Sequence, residues 1–169
     1  MAITINGSGT IGGVTSLPTT GLQLADSNMP AGSVLQVVQA TTDTATYAVN
    51  TSFFDTTLQG SITPSSSSNK ILITVTLSGT GISGKSSAGD RVHYRLLRDS
   101  SDLHYWEKLY GYTDSVLTFS GSVSTVKLDS PSTTSTITYK VQMHGNGSEA
   151  VMAQWNSGVS TMTLMEIAA

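Results

Sequence analysis

The sequence predicts an all-β fold, an antiparallel β-sandwich of jelly-roll type preceded by an extended N-terminal arm. Between Lys70 and Ser78, aliphatic residues occupy every second position, which is the pattern of a strand with one buried face. About nine or ten short segments of this kind follow one another, each bounded by residues that favour turns. No stretch shows the periodicity of an amphipathic helix. Many short strands without intervening helices favour a sandwich.

The strands of the sandwich are expected within residues 31–169, which we treat as one head domain. Pro64 and the four serines after it should give the strand from Lys70 a sharp N-terminal boundary, because proline cannot donate to a strand ladder and serines favour turns. The segment 41–57 is looser, and its aromatic residues are expected at the edge of the core. The predicted strands are Ser33–Ala40, Leu58–Ile62, Lys70–Ser78, Arg91–Arg98, Leu103–Tyr110, Val116–Ser120, Val123–Leu128, Ile137–Met143, Ala150–Trp155 and Thr161–Ile167.

The segment Gly79–Gly89 contains four glycines among small polar residues and is predicted to be an exposed loop. The spacing of Gly79, Gly81 and Gly84 is similar to that of a dinucleotide-binding loop. In such a loop a helix follows the glycines, whereas here the next predicted element is a strand. We therefore predict no dinucleotide site.

The best hairpin candidate joins Arg91–Arg98 to Leu103–Tyr110 through a loop at Asp99–Asp102. With a four-residue loop, Leu96 faces Tyr105 on a mostly apolar side. Arg95 then faces Trp106 on the outer side, where a guanidinium over an indole would form a cation-π pair.

Aromatic residues are concentrated in this hairpin, in the run LHYWEKLYGY from Leu103 to Tyr112. The simpler interpretation divides the run between core and surface. The functional interpretation is a contact platform for a subunit or a glycan, because tyrosine and tryptophan offer large contact areas at low entropic cost. The residues predicted for that platform are Arg95, Trp106, Tyr110 and Tyr112.

Residues 1–30 are predicted to form an extended anchoring arm. They hold glycines and prolines between isolated aliphatic residues. These aliphatic residues are too sparse to form a core and too numerous for a disordered tail that makes no contacts. The two interpretations are a partly ordered terminus and a segment that docks on another subunit or a larger assembly. The aliphatic residues in question are Ile3, Ile5, Ile11, Val14, Leu17, Leu22 and Leu24.

Composition excludes several classes of function. The net charge is -3, and the eight basic residues are scattered, so no basic face is available for nucleic acid or anionic lipid. No apolar run is long enough to span a bilayer, and the N-terminal residues do not resemble a secretory signal. Because the chain has no cysteine, neither disulfides nor thiolate metal sites are expected.

No catalytic, metal-binding or cofactor-binding residues are predicted. The histidines His93, His104 and His144 are not spaced as metal ligands on one strand face, and surface positions are expected for them. Serines are too abundant for any one to indicate a nucleophile, and no GxSxG is present. The carboxylates are scattered and do not suggest a glycosidase pair. We therefore expect a non-enzymatic protein, with a small polysaccharide hydrolase as the least favoured alternative.

Several blocks of the sequence resemble a known family. The blocks are SVLQVVQ, SITPSSSSNKILITVTLSGTG, HYRLLRDSS, LDSPSTTSTITYKVQ and TMTLMEI, with ITINGSGTIGGV near the start. In this order they are similar to the C-terminal heads of tail-fibre, head-fibre and related virion proteins of bacteriophages, especially aquatic phages. The resemblance covers nearly the whole chain, in structural blocks and not in catalytic motifs.

The resemblance implies a β-sandwich head that assembles as a homotrimer, comparable in shape to tumour-necrosis-factor-type heads, on the virion surface after assembly in the host cytoplasm. The segment before the head is shorter than the shaft of most tail fibres. That difference favours a short fibre or capsid-decorating protein whose arm binds phage capsid or tail proteins. The alternative is the receptor-binding tip of a tail fibre that recognises a host surface glycan.

Overall fold

The computed structural model describes residues 29–49, 51–85, 90–109, 117–147 and 149–169. The predicted arm residues from Ile3 to Leu24 lie outside these ranges, as do Tyr110 and Tyr112. Within these ranges no helix is long and apolar enough to cross a membrane. The strands are β1 (Val34–Thr42), β2 (Thr46–Ala48), β3 (Phe54–Ile62), β4 (Lys70–Lys85), β5 (Arg91–Arg98), β6 (Ser101–Leu109), β7 (Leu117–Asp129), β8 (Ile137–Gly145), β9 (Ala150–Ala153) and β10 (Ser160–Ile167), with a short 3-10 turn at Trp155–Ser157.

The strands form two antiparallel sheets. In the first sheet β4 is central, with β7 along one side. Along its other side β4 pairs with β10 and then with β9, and β1 and β2 continue the sheet beyond them. The second sheet has the order β3-β8-β5-β6.

The pairing of the strands is that of a jelly roll. Strand β1 pairs with β10, β3 with β8, β4 with β7 and β5 with β6. The first three pairs join an early strand to a late one, and β5 and β6 are consecutive, as if one long hairpin with its turn between β5 and β6 had been rolled up. The additional pairs β4-β10 and β5-β8 are the contacts that rolling creates. The predicted all-β sandwich is therefore confirmed, with β2 and β9 as short additions.

The core lies between the two sheets and follows from the alternation seen in the sequence. In β4, the side chains of Ile71, Ile73, Val75 and Leu77 are fully buried, whereas those between them are partly exposed. The facing sheet contributes buried side chains from β5 and β8 in the same alternating manner. Burial of one face of each sheet supplies the main driving force for folding.

The glycine-rich segment is not a loop over residues 79–85, and there the prediction is wrong; residues 86–89 lie outside the described ranges. Strand β4 continues through it to Lys85, with register shifts on either side of the stretch from Thr80 to Ile82. Gly79 adopts a positive φ of 57°, and a Cβ atom at Gly81 would overlap the backbone carbonyl of Phe119. The glycines therefore permit a bulge and a close approach of β7 to β4.

The predicted register of the hairpin is also wrong by one residue. The turn is only Asp99–Ser100, β6 begins at Ser101, and a bulge leaves Leu103 without a partner. Arg95 consequently faces Tyr105, and Trp106 faces Tyr94 on the inner side of the sheet. The predicted pairing of Arg95 with Trp106 does not form, because a shift of one residue moves every side chain to the opposite face.

Two other predicted boundaries change. Residues 117–120 and Val123–Leu128 belong to the single strand β7, in which Gly121 pairs with Thr80 instead of forming a turn, and Val116 lies outside the described residues. The predicted strand Ala150–Trp155 is shorter than expected: it ends at Ala153, and Trp155 lies in the 3-10 turn.

The chain reverses direction at two opposite ends of the sandwich. One end holds Met29, the 63–69 segment, the β5–β6 turn and Ala169, since Val34, Ile167 and Lys70 lie side by side there. The strand ends near Lys85, Leu109 and Gly145 lie at the other end. The sandwich therefore has a terminal end, which holds residue 29 and the C-terminal residue, and a distal end.

Candidate functional site

The outer face of the first sheet, which points away from the second sheet, carries an apolar row across four strands. Val37 pairs with Met165, Met165 with Leu72, and Leu72 with Leu128, so the four side chains lie next to one another. Val37 is 57% exposed and Leu128 is 49% exposed. We call this surface the apolar face; its residues are Val34, Val37, Leu72, Val126, Leu128, Met165 and Ile167.

Hydroxyl-bearing residues continue the apolar face toward the distal end. The next row contains Thr163 and Thr74 between Gln39 and Val126, which is 60% exposed. The row after it ends with Thr76 and Ser124, whose hydroxyls are 3.1 Å apart. No charged side chain lies in these three rows, and Lys70 lies outside them beside Ile167, so covering the three rows would bury apolar area without desolvating an ion.

A buried carboxylate joins the terminal-end segment to the same sheet. Glu166 accepts hydrogen bonds from the Ser65 backbone N–H at 2.7 Å and from Asn69 Nδ2 at 2.7 Å. Gln36 Nε2 and the Ser65 hydroxyl donate to it as well. Burial on its own would raise the pKa of Glu166, but the hydrogen bonds from Asn69, Gln36 and Ser65 outweigh that effect and lower the pKa. The serine-rich segment is thus tied to β10 through a charged group.

A second polar cluster closes the same end from the other sheet. Arg98 Nη1 lies 3.0 Å from Asp129 Oδ2, and the Tyr139 hydroxyl donates to that oxygen at 2.7 Å. Burial, followed by the hydrogen bond to Asp129, raises the pKa of Tyr139 well above its ordinary value. Both clusters have structural roles, since their polar groups are already paired.

The outer face of the second sheet bears a shallow depression near the distal end. It has a volume of about 330 Å³ and is lined by Phe53, His93, Tyr105, Glu107 and His144, together with parts of Tyr94 and Trp106. We call it the aromatic depression. It forms where β5, β6 and β8 bring His93 opposite both Glu107 and His144.

The two histidines of the depression are stacked, with ring centroids 4.6 Å apart and planes 12° from parallel. His144 Nδ1 lies 2.6 Å from the Gly145 carbonyl and must donate to it, which leaves Nε2 as the acceptor in the neutral ring. The pKa of His93 is lowered, first by desolvation and second by the neighbouring His144. Glu107 raises this pKa, and Arg91 lowers it. No group of three or more His, Cys, Asp or Glu side chains in the described ranges is arranged to hold a metal ion.

Arg95 and Trp106, both predicted for a contact platform, lie on opposite faces of the sheet. Arg95 is on the outer face, with its guanidinium carbon 4.3 Å from the Phe53 ring centroid. Trp106 packs against the core, stacks on Tyr94 with a centroid distance of 5.5 Å, and has an indole N–H with no partner among the described residues. The indole and the guanidinium therefore cannot form one surface.

Phe53, Tyr105 and His144 were not predicted as parts of a site. Phe53 precedes β3 and reaches His144 only because β3 and β8 are neighbours, with ring centroids 4.4 Å apart. A second exposed aromatic pair, Tyr47 and Trp155, was also missed; its ring centroids are 5.9 Å apart. The only sequence signal for these residues was their aromatic character, because the strand pairs that bring them together are distant in sequence.

No protein-family model and no curated protein matches this chain. Solved structures do match it, among them a crystal structure of the VP2 subviral particle of infectious bursal disease virus. That match has 13% identity and a TM-score of 0.45, and it covers 90% of this chain and 37% of the viral protein chain. This chain thus spans little more than a third of the length of that protein.

Proposed function

We propose that this chain is a non-enzymatic structural protein of a phage particle, a short homotrimeric fibre or capsid-decorating protein. The observation that carries the proposal is the apolar face, with its row of Val37, Met165, Leu72 and Leu128. The sequence blocks that resemble phage fibre heads support the virion role. Three copies of the sandwich associate through this face around a common axis.

The physical reason for association is the cost of leaving the apolar face in water. Each aliphatic side chain that a second subunit covers contributes about 25 cal/mol for each Å² of apolar area removed from water. The chain has no cysteine to strengthen an exposed head, so contacts between subunits supply that stability. Hydroxyl rows beside the aliphatic row provide hydrogen-bonding groups at the margin of the interface.

The arm, residues 1–30, attaches the trimer to phage capsid or tail proteins through its spaced aliphatic residues. It leaves the head at the terminal end, where Met29 and Ala169 lie, so the distal end faces away from the particle. The second candidate function, a receptor-binding tip, is favoured by the aromatic depression, because that surface lies near the distal end.

The mass of the full chain in solution tests the assembly. At micromolar concentration we expect three times the 17.6 kDa of one chain. The variant Leu128→Lys should dissociate toward monomers, because it places a charge within the proposed interface. Val159→Lys is the matched control: Val159 is 56% exposed but lies outside the apolar face, and the trimer should persist. A monomeric full chain, or a Leu128→Lys variant as trimeric as the control, would contradict the proposal.

A further inference from the structure

We propose that the aromatic depression binds a neutral saccharide unit through Tyr105 and Phe53, with Glu107 and the two histidines hydrogen-bonding its hydroxyls. This inference rests on the receptor-binding alternative under the proposed function, and it specifies the class of ligand. A volume of about 330 Å³ is at the lower end of the range for ligand sites. It suits a single sugar ring, or one unit of a longer chain that continues across the surface.

The walls of the depression are aromatic and set at an angle. Tyr105 is 55% exposed, and its ring lies 6.0 Å from that of Phe53 with 59° between the planes. His144 packs against Phe53 in a T-shaped contact, with ring planes at 79°. A sugar ring has an apolar C–H face and a rim of hydroxyls, so it can stack on an aromatic ring while its hydroxyls remain hydrogen-bonded.

Arg95 holds both aromatic walls in place before any ligand arrives. Its guanidinium covers Phe53, and its Nε donates to Gln142 Oε1 at 2.8 Å. Its Nη1 pairs with Asp102 Oδ1 at 2.8 Å, and the Tyr105 hydroxyl donates to the other oxygen of the same carboxylate. Because these side chains are already ordered, binding loses little conformational entropy.

The charges around the depression favour a neutral ligand over an acidic one. Arg91 pairs with Glu107 at 3.2 Å, Arg95 with Asp102 at 2.8 Å, and Lys140 with Asp55 at 3.3 Å. Each of these cations thus already has a carboxylate partner, and a uronate or sulfate would have to compete for it. Glu107, 50% exposed at its side chain, can instead accept hydrogen bonds from sugar hydroxyls.

The test is a titration of the isotopically labelled full chain, followed through its histidine ring signals. The probes are the methyl glycosides and short neutral oligosaccharides of glucose, mannose and galactose, with oligogalacturonate as the acidic comparator. At least one neutral probe should shift the signals of His93 and His144. His104 is the internal comparison, since it stacks on Trp106 on the inner face and does not itself line the depression, so its signal should shift less than those of His93 and His144.

Two variants make the test specific. Tyr105→Ala should weaken binding of the responding probe at least about tenfold, a loss typical of truncating a stacking aromatic residue. Tyr47→Ala removes a tyrosine of similar exposure, 54%, outside the depression, and should bind normally. Three outcomes would each overturn the inference. They are no response to any neutral probe, undiminished binding by Tyr105→Ala, and tighter binding of oligogalacturonate than of the neutral probes. Because the mass of every sample is measured first, a trimer that binds no sugar refutes this site and leaves the proposed assembly standing.

Discussion

At the scale of single residues, Glu166 shows how a charged group can stabilise an irregular segment of a sandwich. It is fully buried, and its partners Gln36, Ser65 and Asn69 come from β1 and from the segment before β4. Hydrogen bonds from a backbone N–H, a hydroxyl and two amides favour the charged form of the carboxylate. The serine-rich segment depends on this group for its position.

Replacement of Glu166 by glutamine should lower the free energy of unfolding by about 2–3 kcal/mol at neutral pH, because an amide NH₂ would face the donors of Asn69 or Ser65. The folded pKa of Glu166 is lowered from 4.5, so its contribution is complete above that ordinary value and is lost as the pH falls through the folded value. The wild-type chain should therefore lose more stability in acid than the variant does.

Urea denaturation at fixed protein concentration, from neutral pH down to about pH 3, measures both effects. Asp43→Asn is the control, since Asp43 is an exposed carboxylate in the segment between β1 and β2 and should change stability by less than about 0.5 kcal/mol. Equal stability of Glu166→Gln and the wild type at neutral pH would show that the carboxylate is not required.

At the scale of elements, the β5–β6 hairpin places neighbouring aromatic residues in opposite environments. Trp106 points inward, stacks on Tyr94 and packs against the core, whereas Tyr105 points outward beside Arg95. The bulge at Leu103 produces this arrangement, because one extra residue in β6 changes which side chains face the core. The same sequence run therefore serves both the core and the outer surface.

Truncation of Trp106 to alanine should lower the free energy of unfolding by about 2–4 kcal/mol, since it leaves a cavity beside Tyr94. Tyr105→Ala, one residue away on the outer face, should cost less than about 1 kcal/mol. Thermal and urea unfolding of the two variants, compared side by side, make the measurement. Equal losses, or a larger loss for Tyr105→Ala, would contradict the observed register of the hairpin.

At the scale of the whole molecule, the jelly roll separates three surfaces. The apolar face is on the outside of the first sheet, and the aromatic depression is on the outside of the second. Residue 29 and the C-terminal residue share the terminal end. In the assembly proposed here, the first sheet contacts other subunits and the second sheet faces solvent. The arm is then attached at the end of the sandwich opposite the depression.

Deletion of residues 1–28 should therefore give a folded trimer that no longer joins phage particles. The physical reason is that the described core residues and the apolar face lie within residues 29–169, whereas attachment is proposed to depend on the arm. Solution mass and melting temperature report on the head, and occupancy on purified particles reports on attachment. The full chain carrying Tyr105→Ala is the control and should attach normally. Full occupancy of the truncated head would show that the arm is not the anchor.

The strands and their buried faces could be predicted from the sequence, because side-chain direction in a strand alternates with each residue and needs no distant partner. Ile71, Ile73, Val75 and Leu77 were placed on a buried face in this way, and they are fully buried. The absence of helical periodicity likewise predicted the sandwich. The contact platform, by contrast, stays a prediction: Arg95 lies on the outer face, Trp106 packs against the core, and Tyr110 and Tyr112 lie outside the described residues.

What only the tertiary structure decided is which residues meet across strands. A one-residue bulge at Leu103 reversed the expected faces of the hairpin, and no local pattern announces such a bulge. The glycines at 79 and 81 have the composition of a loop, but a Cβ atom at Gly79 would overlap the backbone of Trp155, and one at Gly81 would overlap that of Phe119 in β7. Closeness to another backbone is a property of the fold that no local pattern shows. Phe53, His93 and His144 form one depression because β3, β8 and β5 are neighbours, although His93 and His144 are far apart along the chain. The alternation of side chains was thus determined by the sequence alone, and the composition of each surface by the long-range pairing of strands.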